Sequence, residues 1–202
     1  MSTRSTIAGA ILAGGQSRRM GEDKARLMLG GVPLLSRCIE RFTPQVAALI
    51  INVHDDAGNL ANHGLPVVTD EAGAQQGPLA GILASLRWAE TNGIGFIATA
   101  AVDTPFFPPD LVDRLEHAAR NKDMAAASSG GRLHPVFGLW RSGLADDLER
   151  RMGDGLRSLH HWVATQDAGI AEWPAEPYDP FFNINSPEDV SVALGILAEF
   201  QP

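Results

Sequence analysis

Cysteine is nearly missing from this sequence: Cys38 stands alone among 202 residues. A single thiol excludes an intramolecular disulfide framework and any Cys-rich zinc site. It falls in the apolar-periodic stretch Leu34 to Ile39, where a small buried hydrophobe is expected. Basic residues are outnumbered too, 16 against 24 acids, for a formal net charge of -8. Such a chain lacks the basic stripe of a nucleic-acid surface, although a few local cations still suffice for a small anionic ligand. Nowhere do about 20 apolar residues run uninterrupted, so no membrane span is expected. Met1 to Thr6 leads into an apolar run too short for a secretory signal, and the expected address is the cytoplasm. Internal repeats and low-complexity tracts are absent as well. A single domain over residues 1–202 is expected, and its length can bury a sizeable core.

What is present alternates between short apolar runs and helical patterns. Thr6 to Leu12 ends in glycines and reads as a buried strand entering a tight loop. Pro33 opens a helix with Leu34, Leu35, Cys38, Ile39 and Phe42 on one face. Val46 to Val53 and Pro66 to Thr69 are strand candidates, and Leu79 to Glu90 is a helix. Ile94 to Val102 is continuously apolar, the pattern of a parallel strand covered on both faces. A helix follows over Leu111 to Asn121, then strands at Met124 to Ser128 and His134 to Trp140. Two polar helices, Leu144 to Met152 and Leu156 to Thr165, precede a final strand at Phe181 to Asn185. Ser186, Pro187, Glu188 and Asp189 make a helix start. The alternation predicts an α/β fold: three layers, with a Rossmann-like, mostly parallel sheet flanked by helices and ligands at the strands' carboxyl ends.

The richest chemical signal is the run Leu12 to Lys24. Its glycines follow a buried strand directly, so the backbone can approach a ligand and aim N–H groups at phosphate oxygens. Arg19 supplies a planar fork of donors and Lys24 a compact charge. Two better-known phosphate loops are excluded. Lys24 lies between Asp23 and Ala25, not in a Gly-Lys-Ser/Thr sequence, and the glycines lack the dinucleotide spacing. Asp103 closes an apolar strand, where a carboxylate can hold Mg²⁺. The competing reading, an aspartate opening a turn before Pro105, gives way once the glycine loop is considered with it. Gly77 to Gly81 reads either as a helix N-terminus open to a nucleotide or as plain packing. Asn183 and Asn185 would share one face of the last strand, either binding a ligand or satisfied internally. His160 and His161 face different ways, no histidine pair has zinc spacing, and His54, His63 and His117 lack partners of catalytic type. His134 is not assigned as a general base.

Taken in order, Leu12 to Lys24, Gly77 to Gly81, Asp103 to Phe106, His134-Pro135 and Asn183 to Asp189 resemble the MobA family of molybdenum cofactor guanylyltransferases across nearly the whole chain. The opening loop is shared by the wider nucleotidyltransferase superfamily, and the late Asn-x-Asn-Ser-Pro-Glu-Asp segment narrows the likeness. Val102, where the family often has cysteine, and a compact loop before Lys24 are departures.

The resemblance implies GMP transfer from GTP to molybdenum-bearing molybdopterin, with Mg²⁺ as cofactor and molybdoenzymes or cofactor-biosynthesis proteins as partners. It implies catalytic roles for Arg19, Lys24 and Asp103. Leu12, Ala13, Gly14, Gly15, Lys24, Asn52, Asp70, Gly77, Pro78 and Asp103 would bind the nucleotide. His134, Asn183 and Asn185 would bind the acceptor, and Asp103 and Asn185 the metal. The N-terminal half would hold nucleotide and the C-terminal half acceptor. Gly14, where cytidylyl-transferring relatives often carry alanine, leans the expectation towards a purine. The alternatives are a cytidylyltransferase acting on molybdopterin or on a sugar or alcohol phosphate, and a non-catalytic nucleotide-binding module.

Overall fold

A computed structural model describes residues 6–14, 24–54, 63–70 and 77–200. Seven strands form one sheet in the order β5-β4-β1-β6-β8-β7-β9. They are β1 (Ile7–Leu12), β4 (Ala48–Val53), β5 (Val67–Thr69), β6 (Phe96–Ala101), β7 (Met124–Ser129), β8 (Arg132–Arg141) and β9 (Gly169–Trp173). β5, β4, β1 and β6 run parallel, β8 runs antiparallel to both its neighbours, and β7 and β9 are parallel. A two-residue hairpin, β2 (Met28–Leu29) and β3 (Val32–Pro33), stands apart from the sheet. The expectation of a mostly parallel α/β sheet covered by helices is met.

Both faces are covered, as the unbroken apolar strands require. One face buries Ile11, Ile51, Phe107 and Phe137 with α1 (Leu34–Phe42) and α3 (Leu111–Ala118). The opposite face buries Ala8, Ala10, Ile50 and Trp140 with α2 (Pro78–Thr91), α4 (Ala145–Gly153) and α5 (Leu159–Ala164). Trp140 and Trp162 stack there with ring centroids 5.2 Å apart. A third cluster, with Leu29, Leu34, Phe106 and Ile184, seats α6 (Pro187–Phe200) through Ala193 and Ile196. Cys38 is fully buried, as expected, and its thiol donates to the Val102 carbonyl at 3.5 Å. Among the described residues, no helix is long and apolar enough to cross a membrane.

Two expectations need correction, and one strand was missed. Phe181 to Asn185 forms no strand. Its one sheet-like bond runs from the Ile184 N–H to the Asp103 carbonyl at 2.8 Å, and no ladder follows. The helix expected to reach Asn121 stops at Ala118, and Asn121 itself adopts a left-handed backbone at φ 63°. β9 went unforeseen, because the small Gly169 and Ala171 point inward and Ile170 points out, which leaves Trp173 as the one large apolar side chain the strand buries. Gly169 is pressed against the end of α3, where even a methyl group would strike the Ala118 carbonyl.

Candidate active site

The carboxyl ends of the four parallel strands open into one cavity of about 480 Å³, where an open α/β sheet binds its ligands. Its described lining includes Leu12 and Gly14 after β1, Asn52 and His54 after β4, Asp70 after β5, and Asp103 after β6. Gly77, Pro78 and Gly81 contribute from the start of α2, and Lys24, Val136 and Asn183 complete the wall. Nine of the residues named from sequence thus share one cavity: Leu12, Gly14, Lys24, Asn52, Asp70, Gly77, Pro78, Asp103 and Asn183. Gly15 and Arg19 lie outside the described residues.

On one wall, Lys24 starts a short 3-10 turn and its ammonium donates to Asp103 Oδ2 at 2.7 Å and to Asn185 Oδ1 at 2.5 Å. The ion pair is largely screened from solvent, with side-chain exposures of 16% and 17%. A carboxylate and an amide oxygen therefore converge on a single cation. Hard divalent ions take such oxygen donors and complete their shells from phosphates and water. Among the described residues, no group of three or more His, Cys, Asp or Glu side chains could hold a metal by itself. The donor set suits an ion shared with a bound triphosphate.

On the opposite wall, Asn52 is buried at the end of β4. Its amide donates to the Val68 carbonyl at 3.2 Å and to Asp70 Oδ1 at 2.6 Å. Both neighbours are acceptors, so the amide's orientation is fixed and Oδ1 is the atom it has left to offer. That oxygen lies against Gly81, where a methyl group would collide with it. α2 begins at Pro78 without a side-chain cap at Gly77, so the first-turn N–H groups, which have no partner within the helix, can meet an acceptor.

Ala13 and the acceptor-side residues fare differently. The Ala13 N–H is committed to the Asn52 carbonyl at 2.8 Å, and Ala13 does not line the cavity. Asn183 and Asn185 are exposed, not amides of a buried strand. The loop carrying them is tied to β6 by the Ile184 bond and to α6 by a reciprocal cap. In that cap Asp189 Oδ2 accepts from the Asn185 and Ser186 N–H groups at 2.8 and 2.9 Å, while Ser186 Oγ accepts from Asp189 N at 3.2 Å. Hydrogen bonding from the Asn185 N–H, with Ser186 behind it, holds the Asp189 carboxyl below its ordinary range.

His134 sits off the cavity. Its ring stacks on Phe181 at 4.8 Å, and Nε2 lies 2.8 Å from Ser129 Oγ, which donates to Asp179 Oδ1 at 2.8 Å. Because the serine's one proton goes to the aspartate, Nε2 is the donor to the serine. Burial pushes the His134 pKa down, against the pull of Asp179. The network braces the loop from Asp179 to Asn183 and holds no nucleophile.

His54 is the residue that sequence reasoning dismissed. It lines the cavity with Nδ1 3.6 Å from Asp70 Oδ2. The available signal was strand alternation, which puts positions 52 and 54 on the same side of the chain. Val136, by contrast, left no mark in the sequence. It reaches the cavity because β8 bulges: its pairing to β7 jumps from Gly138 opposite Ala126 to His134 opposite Ala127.

Residues 9–169 match the sequence profile described as the MobA-like NTP transferase domain. A Nitrobacter hamburgensis protein named molybdenum cofactor guanylyltransferase is 44% identical over 196 residues, covering 94% of each chain. A solved structure of molybdopterin-guanine dinucleotide biosynthesis protein A from Archaeoglobus fulgidus superposes with a TM-score of 0.75 at 25% identity, covering 96% of this chain and 100% of that one. A Mycobacterium tuberculosis structure described as a complex with manganese shares the fold at TM-score 0.66 and 18% identity, covering 94% and 98%.

Proposed function

Because the chain belongs to the MobA-like NTP transferase family, we propose that its cleft transfers GMP from GTP to molybdenum-bearing molybdopterin. Pyrophosphate leaves, and the product is the guanine dinucleotide form of the cofactor. The observation that carries this reading is the division of one cavity into two walls, a cationic one at Lys24 and Asp103 and an acceptor-rich one at Asn52 and Asp70. The Watson–Crick edge of guanine carries two adjacent donors, N1–H and the 2-amino group. The Asn52 amide oxygen and the Asp70 carboxylate are acceptors that match them, and the first-turn N–H groups of α2 suit O6. Cytosine offers one donor beside two acceptors on that edge, a poorer match. The same acceptor pair supports guanine.

In the reaction, an acceptor phosphate oxygen attacks the α-phosphorus of GTP, the new P–O bond forms, and the bond to the β-phosphate breaks with its electrons leaving on pyrophosphate. A phosphate monoester has a second pKa near ~6, so the attacking oxygen is already largely ionised at neutral pH. No side-chain base is needed. Asp103, with Asn185, would hold Mg²⁺, which when bound neutralises phosphate charge. Lys24 pairs with triphosphate oxygens, and Arg19 offsets charge building on the leaving group. Asn183 and Asn185 face the acceptor, on a loop braced by His134. The single domain then keeps nucleotide in its N-terminal half and acceptor in its C-terminal half. It works in the cytoplasm and passes the finished cofactor to molybdoenzymes.

Incubation with Mg²⁺, molybdopterin and equal GTP and CTP, followed by mass analysis, tests the reading. The guanine dinucleotide product is expected. A cytosine product would overturn the base assignment, and no dinucleotide at all would overturn the transferase assignment.

A further inference from the structure

His54 lies where Asp70 meets the cavity, and nothing in the transfer chemistry above uses it. Four observations bear on what it does. Asn52 and His54 share one side of the chain leaving β4. Asn52 holds one Asp70 oxygen, Oδ1, at 2.6 Å. The His54 ring presents Nδ1 to the other, Oδ2, at 3.6 Å. Gly14 packs closely against the base of the histidine: a methyl group there would come within 2.9 Å of the His54 backbone nitrogen and 3.2 Å of its Cβ. The Asp70 side chain is only 5% exposed, so its orientation is set by protein neighbours more than by water.

We propose that His54 is a positioning residue for base selection: together with Asn52 it orients the Asp70 carboxylate so that Oδ2 meets the 2-amino group of guanine while the Asn52 amide oxygen meets N1–H. The inference rests on the guanine reading of this cavity. A carboxylate oxygen accepts well only when the donor lies near its plane, and one tether at Oδ1 leaves rotation about the Cβ–Cγ bond. A second contact at Oδ2 restricts that rotation. At 3.6 Å the His54 contact is longer than a hydrogen bond and close enough to shorten into one against a bound base.

The chemistry selects the probe. Inosine triphosphate keeps N1–H and O6 but lacks the 2-amino group, so the ratio of its Kd to that of GTP reports how well the pair is read. Both Kd values are measured calorimetrically with Mg²⁺ for the wild type and for His54→Ala, His54→Asn and His54→Gln, with a thermal melt of each to establish folding. The wild type should prefer GTP, and His54→Ala should lower the preference by about tenfold, the scale of one paired base contact. His54→Asn puts an amide N–H near the position of Nδ1 and should restore the preference, whereas His54→Gln should not. In an Asp70→Asn background, His54→Ala should change the ratio no further. A folded His54→Ala protein with the wild-type ratio overturns the role of His54. A wild type that binds both nucleotides alike overturns the reading of Asp70 itself, which separates the two failures.

Discussion

Replacing Lys24 by methionine keeps the length of the side chain and removes its charge. In the protein as it stands, that charge is bonded to Asp103 at 2.7 Å and to Asn185 at 2.5 Å. The gross attraction to the carboxylate is about 6 kcal/mol at that distance with an effective dielectric near 20. Desolvation of both groups cancels most of it, leaving a net contribution of about 1–2 kcal/mol. For a chain of this length that corresponds to a fall in Tm of roughly 2–8 °C. The effect on turnover should be much larger. A contact made to charge that builds in the transition state is commonly worth about 3 kcal/mol or more, on the order of a hundredfold in rate. The same substitution clears the internal cation from between Asp103 and Asn185. Binding of Mn²⁺ without nucleotide, followed by electron paramagnetic resonance, should therefore tighten several-fold even as pyrophosphate release collapses. Steady-state assays at saturating Mg²⁺-GTP and a thermal melt complete the experiment. Turnover within threefold of wild type, or Mn²⁺ binding that weakens without nucleotide, would refute the reasoning.

Gly81→Ala should raise the KM for GTP by about tenfold or more with little change in kcat, because a methyl there displaces the Asn52 amide oxygen from the base pocket; an unchanged KM would show that this oxygen does not meet the base. Cys38 is fully buried, and burial, with Asp103 adding to it, pushes its thiol far above the ordinary range. It should resist alkylation by iodoacetamide up to pH 9 and react only in denaturant; labelling of the native protein would contradict the packing. His134 titrates lower folded than unfolded, chiefly through burial. The unfolded chain therefore binds the extra proton first on acidification, and the contribution is fully present above the unfolded pKa near ~6.5 and lost as pH falls below it. Urea unfolding at pH 8, 6.5 and 5.5 should show this decline, and His134→Gln should flatten it; an equal slope in the variant would remove His134 from the account.

Much of the scaffold could be read in advance because its central strands are continuous apolar runs. Ile7 to Leu12, Ala48 to Val53 and Phe96 to Ala101 have one explanation, burial on both faces. The edges were harder to read. β9 turns Gly169, Ala171 and Trp173 inward and Ile170 outward, and at Gly169 the end of α3 leaves no room for a side chain, so the alternation that marks a strand was obscured. Phe181 to Asn185 misled in the other direction. Its buried members, Phe181 and Ile184, are three apart, a spacing made by a loop wrapping over the β6 terminus and not by a strand. In the site, Asp103 was conspicuous as a polar group closing an apolar strand, whereas Asn52 was named only through the family resemblance. The contact of His54 with Asp70 joins the ends of two different strands, and no local pattern in the sequence encodes it.

The bond from Ile184 N–H to the Asp103 carbonyl has a geometric consequence. It hangs the asparagine loop from the same residue whose side chain meets Lys24. A shift or rotation of that strand tip carries the Asp103 carboxylate and the asparagine loop along together, as two jaws pinned to one hinge move as a unit. On the transfer reading proposed above, the acceptor loop and the metal-holding carboxylate would then be set from one strand tip.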